Sequence, residues 1–424
     1  MSETKEKNPA QGFVEALALR LHGHQIGVLT HYSSGRNRLV FSPEYQAQSS
    51  DSRPVITLSQ KVNPHYFDKP LSNAQRIPPV LSNLLPEGVL REWISSSLKI
   101  HPSHEFALLA WLGRNLPGAI VAEAILLGEI PTWALTSKEK IEPIQINPAG
   151  GTQKFSLAGV QMKFSSLRKD GRFNINADMG DDSWIIKTPS TVHRNVPENE
   201  YSAMKLAEAI GVNIPEIALV PLDSLDKLPD IQLPNESLAY AIRRFDRGSQ
   251  GRIHTEDFAQ IFELYAHDKY GKRNHEQVAT ALYHFGARGL EDSQQLARRL
   301  LSNILLANGD AHLKNWTMIY PDGISPLLAP AYDIVSTLPY VEGETDIALN
   351  LGKQKNWYAM NLGTFKIWSE RTGLPWPAIK VHLHDAITAA RDTWPELLKD
   401  LPMQDRHKDI LREHWAKLSD DFRL

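Results

Sequence analysis

The feature that most constrains this chain is an apolar helix that runs into a polar, acidic loop. Leu296, Leu300 and Ile304 recur at four-residue steps with Leu301 and Leu305 beside them, the spacing of a helix with one buried face. The helix meets Asn308-Gly309, a stop signal in which glycine can take positive φ. The loop Asp310-Ala311-His312-Leu313-Lys314-Asn315 then places an aspartate five residues before an asparagine, and Asp333 follows eighteen residues after Asn315. Asn315 to Tyr320 reads as a strand and Pro321-Asp322-Gly323 as a turn. Helix, polar loop, strand, turn and second carboxylate is the order of a kinase C-lobe. There the loop aspartate receives the acceptor hydroxyl's proton, the asparagine oxygen holds a metal ion and the second aspartate holds its other side. A polar loop with a helix cap has the same spacing, because two common residues at one separation recur by chance.

The rest of the chain decides between these readings. Its 424 residues suffice for two or three domains, and a net charge of −3 with a pI near 6.6 argues against a globally basic nucleic-acid binder. The absence of cysteine excludes disulfides and cysteine-ligated zinc or iron–sulfur centres. Residues 1–12 read as a disordered tail without a signal-peptide core, and no run of about 18 apolar residues could span a bilayer, so a soluble cytoplasmic protein is expected.

Ala16 to Leu21 and Ile26 to Leu29 flank His22-Gly23-His24-Gln25 and read as a hairpin; Arg38 to Phe41 and Val55 to Leu58 add strands. His22 and His24 have no third metal ligand near them, which favours a solvated turn. Pro79 to Gly88 opens a helical region that continues through Phe106 to Gly113, with Glu87 read as a capping or turn carboxylate. Residues 131–150 lose periodicity and read as a linker.

Beyond it, Lys154-Phe155-Ser156-Leu157-Ala158-Gly159-Val160-Gln161-Met162-Lys163 puts small residues at a chain reversal, where backbone N–H groups can approach phosphate oxygens. It is neither of the common glycine-rich nucleotide loops, so on these residues alone an ordinary β-turn is the default. Trp184-Ile185-Ile186-Lys187 is an apolar strand ending in an ammonium, as needed to pair the α- and β-phosphates of ATP. Pro197-Glu198-Asn199-Glu200 opens a helix whose face is Tyr201, Met204, Ala207 and Ile210, and either Glu200 or Glu198 could orient Lys187. Leu238 to Arg247 has the form of a strand entering a hinge, and residues from about 260 onward are mostly helical by pattern. Trp357, Trp368, Trp376 and Trp415 there read as core or groove-lining residues.

Four motifs, taken together with their order along the chain, resemble the HipA family of bacterial serine/threonine kinases, the toxins of toxin–antitoxin pairs. They are the Asp310 loop, the Pro330-Ala331-Tyr332-Asp333 segment, the Ser156 loop and the Arg244-Phe245-Asp246-Arg247 hinge, with Leu84-Leu85-Pro86-Glu87-Gly88 similar to the family's N-terminal subdomain. The resemblance implies an α+β, two-lobed protein-kinase-like fold with a mixed N-terminal subdomain (13–130), a linker (131–150), an N-lobe (151–250) and a helical C-lobe (251–424). It implies ATP and Mg²⁺ as cofactors, with Asp310, Lys187 and Glu200 catalytic and Asn315 and Asp333 on the metal. The nucleotide would be held by Ser156, Ala158, Gly159, Val160, Gln161, Lys163 and Lys187, by Arg243 and Phe245 at the hinge, and by His312 and Lys314. Ser156 is also the implied autophosphorylation site. The implied partners are a HipB-like DNA-binding antitoxin, through which alone DNA would be met, and a protein substrate such as an aminoacyl-tRNA synthetase. Two departures stand out: Met162 occupies a position that is often acidic, and Arg243 replaces the usual acid of the hinge motif. A metal-dependent phosphoesterase built on Asp310, His312 and Asp333, and an idle antitoxin-binding scaffold, are the alternatives.

Overall fold

The structure, a computed structural model, describes residues 13–125, 128–146, 162–169, 172–175, 183–228 and 233–424. The expected tail at 1–12 and the loop residues Ser156, Ala158, Gly159, Val160 and Gln161 lie outside the described residues.

The first unit is a five-stranded antiparallel sheet of β1 (Ala16–Leu21), β2 (His24–His31), β3 (Arg36–Phe41), β4 (Leu71–Ala74) and β5 (Ile120–Ile125), in the order β4-β3-β2-β1-β5. Its hairpin forms as expected. His22 and Gly23 both take positive φ, 49° and 80°, the pair a tight two-residue turn between twisted strands requires. Helices α1 (Gly88–Leu98) and α2 (Glu105–Leu112) cover one face, where Leu17, Leu19 and Leu29 pack with Phe106, Leu108 and Leu109.

Two expectations fail here. Val55 to Leu58 is not a strand: Val55 and Leu58 enter the C-lobe core, with Val55 N donating to Gly323 O at 2.8 Å and Leu58 N to Glu256 Oε1 at 2.7 Å. These two backbone donors go to another domain and Ile56 N goes to Gln60 Oε1 at 3.0 Å, not to a ladder. The expected linker is also structured in its described part: Thr132–Ala134 forms a 3₁₀ turn, Ala134 is buried with Ala16 and Val28, and Ile144–Gln145 pairs with Phe13–Val14.

The second sheet has six strands, β6 (Lys163–Lys169), β7 (Arg172–Ile175), β8 (Trp184–Lys187), β9 (Ile217–Pro221), β10 (Leu225–Asp226) and β11 (Leu238–Arg243), ordered β9-β11-β8-β6-β7-β10. Phe164, Trp184, Ile186 and Ala241 form its core, onto which Val89 of α1 packs. Helix α3 (Val196–Ala209) starts with proline in its first turn and buries Ala203, Met204, Leu206 and Ala207 in the C-lobe core.

The C-lobe is built on α4 (His275–Phe285), α5 (Gly289–Leu305) and α7 (Trp376–Asp400), with α6 (Leu362–Thr372) and α8 (Asp405–Lys417) around them. Trp368, Trp394 and Trp415 are buried and donate their indole N–H to His275 O, Leu206 O and Leu305 O at 2.8–3.1 Å, so their large apolar area is buried without stranding a donor. A three-stranded sheet of β12 (His254–Asp257), β13 (Thr317–Tyr320) and β14 (Leu327–Leu328) frames the loop after α5.

Candidate active site

Strand register brings two ammonium groups together. In the antiparallel pairing of β8 with β6, Lys187 lies opposite Lys163, a like-charge pair that would destabilise a sheet by itself. A carboxylate offsets it. Asp333 accepts from Lys163 Nζ at 3.0 Å through Oδ2 and from Lys187 through Oδ1, while Lys187 also reaches Glu200 on the second turn of α3. Glu200, and not Glu198, is therefore the partner of Lys187. Lys187 is 3 % exposed. Burial alone would make this ammonium easier to deprotonate, but Asp333 and Glu200 hold its pKa above the ordinary lysine value. Burial likewise raises the Asp333 carboxyl, and the attraction of Lys163 and Lys187 outweighs it, leaving Asp333 well below the usual carboxylate range. Glu200 stays above its ordinary value because burial outweighs the pull of Lys187.

The acidic loop is held from both sides. Helix α5 does not stop on the expected glycine: Ala307 takes the left-handed conformation, φ 50°, and Gly309 serves a different need. A Cβ on Gly309 would lie 2.1 Å from Glu344 Oε1, so glycine permits the close approach of that carboxylate. Gly309 N donates to Thr337 Oγ1 at 2.8 Å, and Asp310 N donates to Asn308 Oδ1 at 3.1 Å, with Asn308 itself bound to Asn303 Oδ1 at 2.9 Å. Asp310 faces solvent, and the Tyr270 hydroxyl donates to its Oδ1. His312 is buried against the Tyr270 ring at 5.0 Å between centroids; burial first, then Lys269, push it down to about 4, so it is neutral near pH 7.

Asn315 Oδ1 is buried and has no hydrogen-bond partner among the described residues. It lines a small cavity with Asn303, Asn308, Tyr332 and Asp333. An orphaned amide oxygen beside a carboxylate is a donor set suited to a hard divalent cation. Asp333 reaches this cavity from a left-handed backbone, φ 53°, which aspartate tolerates better than most residues.

Other expected site residues are directed elsewhere. Lys314 turns its ammonium to Asn83 O at 2.9 Å, Asp257 at 3.0 Å and Glu87 at 3.3 Å, so its charge is neutralised against the N-terminal subdomain. Glu87 makes no cap hydrogen bond to α1; it accepts from Lys269 at 3.0 Å and Lys314. Lys314 and Lys269 hold its carboxyl below the ordinary value despite the opposing effect of burial. Arg243 is 60 % exposed in its side chain and pairs with Glu216 at 3.4 Å, whereas Phe245 packs on Tyr332 at 5.6 Å, beside Asp333. The acid of the hinge motif, Asp246, is buried between Arg244 and Arg247 and accepts Gly118 N at 2.7 Å, which ties the hinge to the N-terminal subdomain. Tyr270, Asn303 and Glu344 went unnoticed in the sequence because none sits in a spaced motif, and Asn308 was read only as part of a helix stop.

Comparison with known proteins supplies the family. Residues 17–123 match the HipA N-terminal domain and residues 155–394 the HipA-like C-terminal domain. The chain belongs to the HipA family. Among curated relatives, the Sinorhizobium fredii protein named "Putative kinase Y4dM" is 36% identical over 410 residues, covering 95% of this chain and 96% of its own. The Shewanella oneidensis serine/threonine-protein kinase toxin HipA is 27% identical over 328 residues, with 70% and 71% covered. Among solved structures, the S. oneidensis toxin–antitoxin complex of HipA, HipB and operator DNA matches 95% of both chains with a TM-score of 0.69 at 20% identity. The α+β, kinase-like HipA architecture is thereby shared, and this chain is a HipA-family kinase by descent. No helix among the described residues is long and apolar enough to cross a membrane.

Proposed function

We propose that this protein transfers the γ-phosphoryl group of ATP, with magnesium, to a serine or threonine hydroxyl of a protein. The observation that carries the reading is the buried Lys187 bridged to both Glu200 and Asp333, next to a loop that presents Asp310 and Asn315. A metal-dependent phosphoesterase would have no use for the buried Lys187–Glu200 pair.

In this reading Glu200 holds Lys187 pointing into the cleft, and nucleotide phosphates take over the ammonium groups of Lys187 and Lys163 from Asp333. Asn315 and Asp333 would hold Mg²⁺, which neutralises charge on the β- and γ-phosphates. Asp310 accepts the proton of the attacking hydroxyl. The neutral His312 and the tied Lys314 shape the loop without touching phosphate, and Phe245 flanks the nucleotide. Ser156 is the proposed autophosphorylation site; a phosphate there adds about −1.5 to −2 charges beside a site for anionic ATP and would switch the kinase off.

Membership of the family supports the further proposal that the protein is a growth-inhibiting toxin acting in the cytoplasm, with a HipB-like antitoxin as its partner, DNA reached through that antitoxin, and a protein such as an aminoacyl-tRNA synthetase as substrate. Purified protein incubated with γ-labelled ATP, magnesium and cell extract tests this. Label should enter Ser156 and an extract protein, and neither should be labelled by Asp310→Gln. Release of free phosphate with no labelled protein would overturn it.

A further inference from the structure

The base of the proposed transfer is already occupied. Tyr270 donates its hydroxyl to Asp310 Oδ1, which is the bond an acceptor hydroxyl must make before attack. We infer that Tyr270 is a specificity-determining residue that holds the acceptor position until a protein hydroxyl displaces it, and so keeps water from serving as acceptor. This rests on the reading of Asp310 as the base of phosphoryl transfer.

Tyr270 is placed by the fold and is not a loose surface side chain. Its ring meets the edge of buried His312 at 5.0 Å. The preceding residue, Lys269, accepts Leu313 N through its carbonyl at 3.3 Å and donates to Glu87 at 3.0 Å. The segment from Leu264 to Tyr270 is fastened to the N-terminal subdomain along its length. Asn83 Nδ2 donates to Leu264 O at 2.7 Å, Tyr265 donates to Ile77 O at 3.3 Å, and Arg76 contacts His267 at 3.0 Å while lying over the Tyr265 ring. The N-terminal subdomain thus sets where the phenol stands.

The gate is also built to open. Tyr270 is 46% exposed, so its ring can leave without creating a cavity, and the single bond lost is replaced by the incoming hydroxyl's bond to the same oxygen. Water can form that bond too, but it brings no binding energy from elsewhere, whereas a docked protein does. Burial first, then Asp310, raise the phenol above its ordinary pKa, so it remains a proton donor across the physiological range.

The test uses the full-length protein with ATP and magnesium and no added acceptor. Release of inorganic phosphate should rise about fivefold or more in Tyr270→Phe, the factor expected for removing one competing hydrogen bond. ATP affinity should be unchanged. The increase should vanish in Tyr270→Phe/Asp310→Gln, which separates base-dependent hydrolysis from a loosened fold. Glu87→Gln, which weakens the tie to both Lys269 and Lys314 but leaves the Tyr270 and Asp310 side chains intact, should raise hydrolysis in the same direction by a smaller factor. Unchanged or slower hydrolysis in Tyr270→Phe, in a protein whose autophosphorylation is lost on Asp310→Gln, overturns the gate alone. Autophosphorylation that survives Asp310→Gln overturns the kinase reading beneath it.

Discussion

Removing Lys187 should destabilise the protein before it informs on chemistry. Lys187 and Glu200 are each 4% exposed in their side chains, while Asp333 is 26% exposed and keeps Lys163 at 3.0 Å. Lys187→Met therefore leaves one carboxylate, Glu200, buried without its cation. Breaking a buried pair from one side costs about 3–5 kcal/mol. The lower end applies here, because Glu200 can escape the charge by taking up a proton. At roughly 1 °C per kcal/mol for a chain of this size, the melting temperature should fall by about 3 °C at pH 8. The pH dependence has a defined sign. With Lys187 gone, the folded pKa of Glu200 lies further above its unfolded value, so the folded state binds the extra proton and the variant loses stability as pH rises between the two. Most of the deficit should disappear by pH 5. Replacing both residues, Lys187→Met with Glu200→Leu, removes the stranded charge and should recover most of the loss even at pH 8. Thermal unfolding of the three proteins at pH 5 and pH 8 checks this. A single variant as stable as the wild type, or a double variant no better than the single, would refute the reasoning.

Three further outcomes follow from the site and its supports. Asp310→Gln should bind ATP normally yet transfer phosphate at least about a hundredfold more slowly, read by labelled-ATP incorporation against nucleotide titration. Asp333→Asn should weaken binding of Mg·ATP more than binding of metal-free nucleotide, measured by titration calorimetry, because it removes the charge facing the metal. Glu256 is buried, accepts from Leu58 N and Tyr320, and is pushed by burial up to about 7. The folded state holds a proton there that the unfolded state releases, so stability should fall from about pH 4.3 to about pH 7, by on the order of 3 kcal/mol. Glu256→Gln should flatten that slope, checked by melting temperature against pH.

What the sequence made legible was what local spacing encodes. The buried face of α5, the strand ending in Lys187 and the acid-rich start of α3 follow from periodicity and end signals. Asp310, Asn315 and Asp333 follow from a motif whose members lie within a few dozen residues. Contacts between distant segments left no such trace. Val55 to Leu58 has the composition of a strand, and only the presence of Gly323 and Glu256 across the interface turns it into a docking segment. Lys314 looked like a phosphate ligand because it sits in the loop, but Asn83, Glu87 and Asp257 claim its charge from elsewhere. Tyr270 carried no signal, since a lone tyrosine before a turn gains meaning only when folding places it on Asp310. The choice between Glu198 and Glu200 was likewise a matter of helix phase relative to Lys187, which the sheet register sets.

The ties from Asn83 and Glu87 to Lys314 have a consequence for how the protein is made. These partners are 231 positions apart in the case of Asn83 and Lys314. At about 5–20 residues per second, translation needs roughly 10–50 seconds to pass from one to the other. The N-terminal subdomain, with Asn83 and Glu87 in place, is synthesised before the loop that bears Asp310 emerges to dock on it. A chain terminated before the C-lobe therefore carries the N-terminal platform without the loop of Asp310 and Asn315 and without Asp333.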